Sequence, residues 1–164
     1  MFQRIFWIEC GGPGRLAILS RPAQEWLREE ISAWRDSDLA TVVSLLEPQE
    51  QRDLGLDAEA DLCCAHGVAF ASFPIPDRGI PASTADAVAL ARRLANAIEN
   101  GGTVGVHCRA GIGRSGMIAA CVLVALGHPE DHAFEAIAAG RGLGVPDTLE
   151  QRNWVSSVAK SVAP

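Results

Sequence analysis

Residues 103–117 read Thr103-Val104-Gly105-Val106-His107-Cys108-Arg109-Ala110-Gly111-Ile112-Gly113-Arg114-Ser115-Gly116-Met117, and the change of pattern along them sets the fold. Residues 103–107 are a short β-branched and apolar run after the Gly101-Gly102 turn. Residues 115–126 are an almost unbroken apolar stretch, too long for one strand and closed by Gly127. The pattern predicts a buried strand, a tight loop and a buried helix that begins near Arg114. Successive N–H groups of such a loop can converge as a nest, and the positive end of the helix adds to the same point in space. Gly111 and Gly113 accept φ > 0 and let the main chain approach a ligand with no Cβ in the way.

Cys108 is expected at the base of this cradle, facing the backbone of Arg109, Ala110, Gly111, Ile112, Gly113 and Arg114. A free cysteine has a pKa of about 8.5, so about 3% is thiolate at neutral pH, and a helix N-terminus with positive neighbours raises that fraction at most about thirtyfold. Positioning and charge stabilisation must supply the larger share, because phosphoryl transfer spreads negative charge over the equatorial oxygens of the moving group. Arg114 meets that requirement, since its planar fork can hold two such oxygens at once and a lysine could not. Ser115 can donate a hydroxyl hydrogen to the thiolate. His107 alternates away from Cys108 at the strand end and is expected to support the loop rather than to react. The chemistry these residues point to is attack of a thiolate on a phosphate.

Expelling an alkoxide or phenoxide from phosphorus requires a proton, which an ionised Cys108 cannot supply. Asp77 is the best candidate for the acid. It stands between Pro76 and Gly79-Ile80-Pro81 in a loop after the apolar run 68–73, where the prolines stiffen the approach and Gly79 allows a sharp turn. It lies 31 residues before Cys108, a gap filled by one long helix and one strand, which returns the chain to the same edge of a parallel sheet. From the residues alone, an Asx-turn is the competing role for Asp77.

The segment 107–115 resembles the signature loop of the protein tyrosine phosphatase superfamily, and the chain length is similar to that of its compact dual-specificity branch. Val42-Val43-Ser44-Leu45-Leu46-Glu47, Phe73-Pro74-Ile75-Pro76-Asp77-Arg78-Gly79 and Val145-Pro146-Asp147-Thr148-Leu149-Glu150-Gln151 are similar to segments of small phosphatases related to the cyclin-dependent-kinase-associated phosphatase and its bacterial relatives. The resemblance covers residues 26–155. It implies an α/β fold with one central, mostly parallel sheet of five strands flanked by helices on both faces. It also implies a metal-independent, cofactor-free phosphomonoesterase that forms a phosphocysteine, with Asp77 as general acid and then base. Gln151 matches the glutamine that positions the attacking water in some members. The expected substrate is phosphotyrosine, with phosphoserine or phosphothreonine, in a protein or peptide. A phosphoinositide or sugar phosphate ester is the alternative substrate, and a module that binds phosphorylated partners without turnover is the alternative function. Sulfur or arsenate chemistry also uses oxyanion-binding cysteine loops, but gives Asp77 no role.

With 164 residues the chain is expected to form a single domain, 1–164, whose 48% hydrophobic content can build a real core. A formal net charge of -6 argues against nucleic acid or an anionic membrane surface as partner. Within that acidic protein, Arg78, Arg109, Arg114 and Arg141 can form a local positive mouth. No apolar window reaches the length of a membrane span and residues 1–10 lack a secretory signal pattern, so a cytoplasmic monomer is expected. The five cysteines, an odd number, fit no disulfide framework; Cys63-Cys64 are read as buried thiols rather than metal ligands, since adjacent helical side chains diverge by about 100°. The absence of tyrosine excludes regulation by phosphorylation of its own tyrosine.

Strands are predicted at 2–8, 15–19, 41–46, 68–73 and 103–107. Helices are predicted at 22–35, 48–55, 57–66, 84–100, 115–126, 129–141 and 148–162. Trp26, Leu27, Ile31 and Trp34 are expected as one core-facing stripe of the first helix, and Val88, Ala91, Leu94 and Ile98 as the apolar face of the fourth. The Gly140-Arg141-Gly142-Leu143-Gly144 stretch is read as a helix stop.

Overall fold

A computed structural model describes residues 4–164. Five strands form one sheet: β1 (Ile5–Ile8), β2 (Arg15–Leu19), β3 (Thr41–Ser44), β4 (Ala69–Ser72) and β5 (Thr103–His107), in the order β1-β2-β5-β3-β4. Only the edge pair β1 and β2 is antiparallel; β2–β5, β3–β5 and β3–β4 are parallel. The expected α/β architecture is therefore the one observed. Of the first predicted strand, residues 2 and 3 lie outside the described residues.

The strand sequences explain why both faces are covered. Along β2, Leu16 and Ile18 enter one apolar cluster and Ala17 and Leu19 the other; Val43 and Val42 divide likewise on β3. Helices α4 (Thr84–Glu99), α5 (Gly113–Ala125), α6 (Glu130–Arg141) and α7 (Leu149–Val162) cover the first face. The second face carries α1 (Leu27–Asp36) and α3 (Glu59–Ala65), while the short α2 (Pro48–Asp53) follows β3. All thirteen residues of α5 are buried, as expected of a helix that is apolar all round.

Three expectations are corrected. The first helix does not run unbroken from residue 22: a 3-10 turn (Gln24–Trp26) precedes α1, and Trp26 is exposed. Leu27, Ile31 and Trp34 fall on one face at steps of four and three, and a residue one position earlier is turned about 100° away from them. The buried face of α4 runs through Ala87, Leu90, Ala91, Leu94, Ala95 and Ile98, so Val88 is its margin rather than its start. Finally, only one of the paired thiols is inside, since Cys63 is buried and Cys64 exposed on successive helical positions. As for the helix ends, Ser83 caps α4 by accepting from the Asp86 N–H, and Gly142 ends α6 in the left-handed conformation.

Candidate active site

β5 ends at His107, five residues follow, and α5 begins at Gly113, so Cys108 lies where the central strand gives way to a helix N-terminus. Cys108 is 2% exposed, and its Sγ accepts a hydrogen bond from the Gly111 N–H at 3.3 Å. Gly111 is in the left-handed region at φ 68°, as the loop pattern requires. Gly113 serves differently from expectation: it has no positive φ and sits in the first turn of α5. A Cβ there would lie 2.5 Å from Asp147 Oδ2 and 2.9 Å from Gln151 Oε1. The N–H groups of Arg109, Ala110, Ile112, Gly113 and Arg114 have no acceptor among the described residues. Ile112, at the N-cap, supplies no side-chain cap. Unpaired donors at a buried helix N-terminus are suited to an anion.

Arg114 is 2% exposed and heavily partnered. Its Nη1 donates to Glu50 Oε2 at 2.6 Å and to the Ile75 carbonyl at 3.0 Å; its Nη2 donates to Glu50 Oε1 at 3.0 Å and to Asp77 Oδ1 at 3.1 Å. Burial pushes the guanidinium pKa down, but the Glu50 hydrogen bonds and the charges of Cys108, Glu50 and Asp77 outweigh it, so the net shift is upward. Burial likewise raises the Glu50 carboxyl, and the hydrogen bonds from Arg114 and from the Glu47 N–H more than reverse this, leaving it below the usual carboxylate range. Glu50 is not among the residues expected from the sequence. A local signal for it exists, however: Glu47-Pro48-Gln49-Glu50 carries a glutamate at the third position of a helix start, and Glu50 Oε2 accepts from the Glu47 N–H at 2.9 Å.

Asp77 comes from the turn after β4, closed by the Gly79 N–H donating to the Pro76 carbonyl at 2.8 Å. The residue that takes the left-handed conformation in this turn is Arg78, at φ 57°, rather than Gly79. The Asp77 side chain is 58% exposed, while one oxygen rests on Arg114. Asp77, 37 residues before Arg114, thus contacts its guanidinium directly, and the charge of Cys108 acts on the same group.

Gln151 is fully buried, not on the solvated face an exposed helical glutamine would occupy. Its Nε2 donates to the Gly79 carbonyl at 3.0 Å, which ties α7 to the Asp77 turn, and its backbone N–H is held by the capping Thr148 hydroxyl at 3.1 Å. Gln151 Oε1 and the Ser115 hydroxyl are both buried without a hydrogen-bond partner among the described residues. His107 points to the opposite face from Cys108. Its Nε2 is 2.8 Å from Glu59 Oε1, its Nδ1 is 3.4 Å from the Cys108 carbonyl, and its ring lies 6.1 Å from that of Trp34. Glu59, likewise not expected from the sequence, is fully buried at the start of α3.

Of the arginines expected to form a positive mouth, Arg78 and Arg109 are exposed, whereas Arg114 is enclosed by carboxylates. Arg141 is turned onto the outside of the loop, donating from Nε to the Gly111 carbonyl at 2.7 Å.

The family described as "Polymorphic toxin system, DSP-PTPase phosphatase" matches residues 19–128. The chain is 30% identical over 105 residues to cyclin-dependent kinase inhibitor 3 of Rattus norvegicus, covering 63% of this chain and 49% of that protein. It is 28% identical over 154 residues to protein tyrosine phosphatase domain-containing protein 1 of Mus musculus, covering 87% of this chain and 20% of that one. The match thus spans about half the length of the first relative and a fifth of the second. Among solved structures, kinase associated phosphatase with its catalytic-site cysteine replaced by serine superposes with a TM-score of 0.88 at 19% identity, covering 99% of this chain and 97% of the other. Tk-PTP in its active form gives 0.75 at 26% identity, covering 94% and 97%. The matched residues 19–128 contain the Asp77 turn and the whole Cys108 to Arg114 loop, and the chain belongs to the DSP-PTPase phosphatases, a compact dual-specificity group of the protein tyrosine phosphatase superfamily.

Proposed function

We propose that this chain hydrolyses phosphotyrosine, and also phosphoserine and phosphothreonine, in proteins and peptides through a phosphocysteine. The observation that carries the reading is the signature loop itself, where the Gly111 N–H bonds Cys108 Sγ beside unpaired loop amides and leads into Arg114, whose guanidinium holds Asp77. In the first step Cys108 Sγ forms a bond to phosphorus, the P–O ester bond breaks, and Asp77 gives its proton to the departing oxygen. In the second, a water oxygen bonds to phosphorus and the S–P bond breaks. Asp77 takes the water proton and the thiolate is restored, so the sum is ester plus water to alcohol plus phosphate.

The loop amides and Arg114 meet the charge that develops on the equatorial oxygens, for which Arg114 Nε is free of any acceptor among the described residues. Ser115, with its unpartnered hydroxyl, is assigned to stabilise the thiolate as leaving group. Gln151, bonded to the Asp77 turn through Gly79, is assigned to orient the water. No metal or cofactor enters either step. We further assign a single domain, a monomeric state and a cytoplasmic location. The described cysteines are all free, which suits a compartment where Cys108 stays reduced. No helix among the described residues is long and apolar enough to cross a membrane.

Phosphate release from phosphotyrosyl and phosphothreonyl peptides, phosphoinositides and sugar phosphates, with a chelator present, tests the substrate class. The expected result is turnover of the peptides and its loss in Cys108→Ser. Preference for the non-protein esters would replace the substrate, and tight peptide binding without release would replace the activity. Asp77→Asn is expected to slow alkyl phosphates at least about a hundredfold while sparing esters of acidic phenols, which leave without protonation; equal losses would remove Asp77 from the acid's role.

A further inference from the structure

Arg141 is the last residue of α6, 30 residues beyond Gly111, and is half-buried against the outer side of the signature loop. Its guanidinium carbon lies 3.8 Å from the centroid of the Phe6 ring on edge strand β1, a stacking distance that fixes the plane of the fork. From that platform Nε donates to the Gly111 carbonyl at 2.7 Å and Nη2 reaches the Ala110 carbonyl at 3.5 Å.

These two carbonyls belong to successive peptide planes. In a trans peptide the C=O and the following N–H point in opposite directions. A Gly111 carbonyl held outward therefore turns the Ile112 N–H inward, and an Ala110 carbonyl held outward does the same for the Gly111 N–H. The latter is the group seen donating to Cys108 Sγ at 3.3 Å. Without a donor on the outside, these carbonyls can flip toward the cradle, where their partial negative charge would oppose an anion. Burial lowers the Arg141 pKa and the charge of Cys108 acts against that, which places the guanidinium within electrostatic reach of the thiolate.

We propose that Arg141, braced by Phe6, is a positioning residue for oxyanion binding: it holds the peptide planes of residues 110–112 in the orientation that aims their N–H groups at the phosphate. Its part is distinct from that of Arg114, which faces the substrate. The inference rests on the phosphatase reading above.

The test measures competitive inhibition by vanadate and inorganic phosphate, together with kcat and KM for an aryl phosphate, in wild type, Arg141→Ala, Arg141→Lys and Phe6→Leu. Arg141→Ala is expected to weaken vanadate about tenfold or more and to raise KM. Arg141→Lys, a single donor without the planar fork, should recover part of the loss. Phe6→Leu, which keeps the arginine and removes its platform, should fall between wild type and Arg141→Ala. Recovery in Arg141→Lys, which returns a donor to the Gly111 carbonyl, is a result that a general loosening of α6 would not produce. If Arg141→Ala melts below assay temperature, Arg141→Lys and Phe6→Leu decide the matter. Vanadate affinity and KM unchanged in the folded variants would overturn the inference while leaving the phosphatase reading intact. A wild type that neither turns over the ester nor binds vanadate would instead remove that reading.

Discussion

Arg114 carries more of the site than any other side chain, because it is a buried cation whose neutralisation is built from distant carboxylates. Glu50 supplies two charge-assisted bonds from 64 residues away, and Asp77 supplies a third. Glu50→Gln leaves the shape and removes the charge, and is expected to cost about 1–3 kcal/mol as a buried charged donor loses part of its satisfaction. Since the Glu50 carboxyl lies lower in the folded chain than the usual 4.5, the stability it contributes is fully present above that value. That stability disappears as pH falls through the depressed folded value. Thermal melts of wild type between neutral and strongly acidic pH should show that acid-side loss, and melts of Glu50→Gln should show a shallower one. Parallel slopes would mean that Glu50 is not the group responsible. Asp77 faces a choice of roles at the same cation. In the structure it rests on Arg114, and the proposed proton delivery to a leaving group requires it also to reach outward, which its 58% exposure permits.

At the scale of elements, the strand-loop-helix unit around Cys108 and the helix α7 are fitted to each other through Gly113. Alanine at that position would drive a Cβ against Asp147 Oδ2 and Gln151 Oε1. Asp147 is exposed and can swing away, while Gln151 is fully buried and bonded to the Asp77 turn. Gly113→Ala should therefore change stability by less than about 1 kcal/mol, since helix propensity offsets the displacement. Turnover should drop at least about tenfold, because the Gln151 to Gly79 tie is broken. A melt and a kcat measured on the same sample check both halves. Loss of the fold together with the activity would show that the contact is structural.

The elements also show what a sequence makes legible. β5, its loop and α5 are readable because a switch from short β-branched run to long apolar run and paired glycines are local signals, and Cys108, Arg114 and Ser115 lie inside them. Asp77 owes its assignment to the family resemblance, because an acid among prolines at a strand end also fits an Asx-turn. Trp26 departs from expectation because a 3-10 turn shifts the phase of a helix by a residue without altering the apolar count. Glu59 and the clamp made by Arg141 carry no local signal, and the helix start Glu47 to Glu50 marks Glu50 only as a capping residue, not as the partner of Arg114. Each acts on a residue 30 or more positions away, and pairings at that range follow from the sheet order rather than from any period in the chain.

For the whole molecule, an acidic chain has sorted its thiols by burial. Burial, with the nearby charge of Glu59, pushes the Cys63 thiol up to about 12, and burial, with Glu130, does the same to Cys121. Both are protonated at any physiological pH and should resist alkylation in the native protein, while Cys64 is exposed and should label readily. Under the proposed mechanism an oxyanion sits over the Cys108 sulfur, so labelling there should be blocked by vanadate and labelling at Cys64 should not. Peptide mapping after brief iodoacetamide treatment separates these outcomes. Vanadate-insensitive labelling of Cys108 would mean that the cradle does not hold an oxyanion over the sulfur.

A covalent bond between Cys108 sulfur and phosphorus is the step on which every role assigned to the site depends. Wild-type protein, acid-quenched during steady turnover of an aryl phosphate and digested at low pH, is expected to carry a phosphoryl group on the Cys108 peptide, while Cys108→Ser releases no phosphate. Steady turnover with Cys108 unmodified, or release that survives Cys108→Ser, would contradict it.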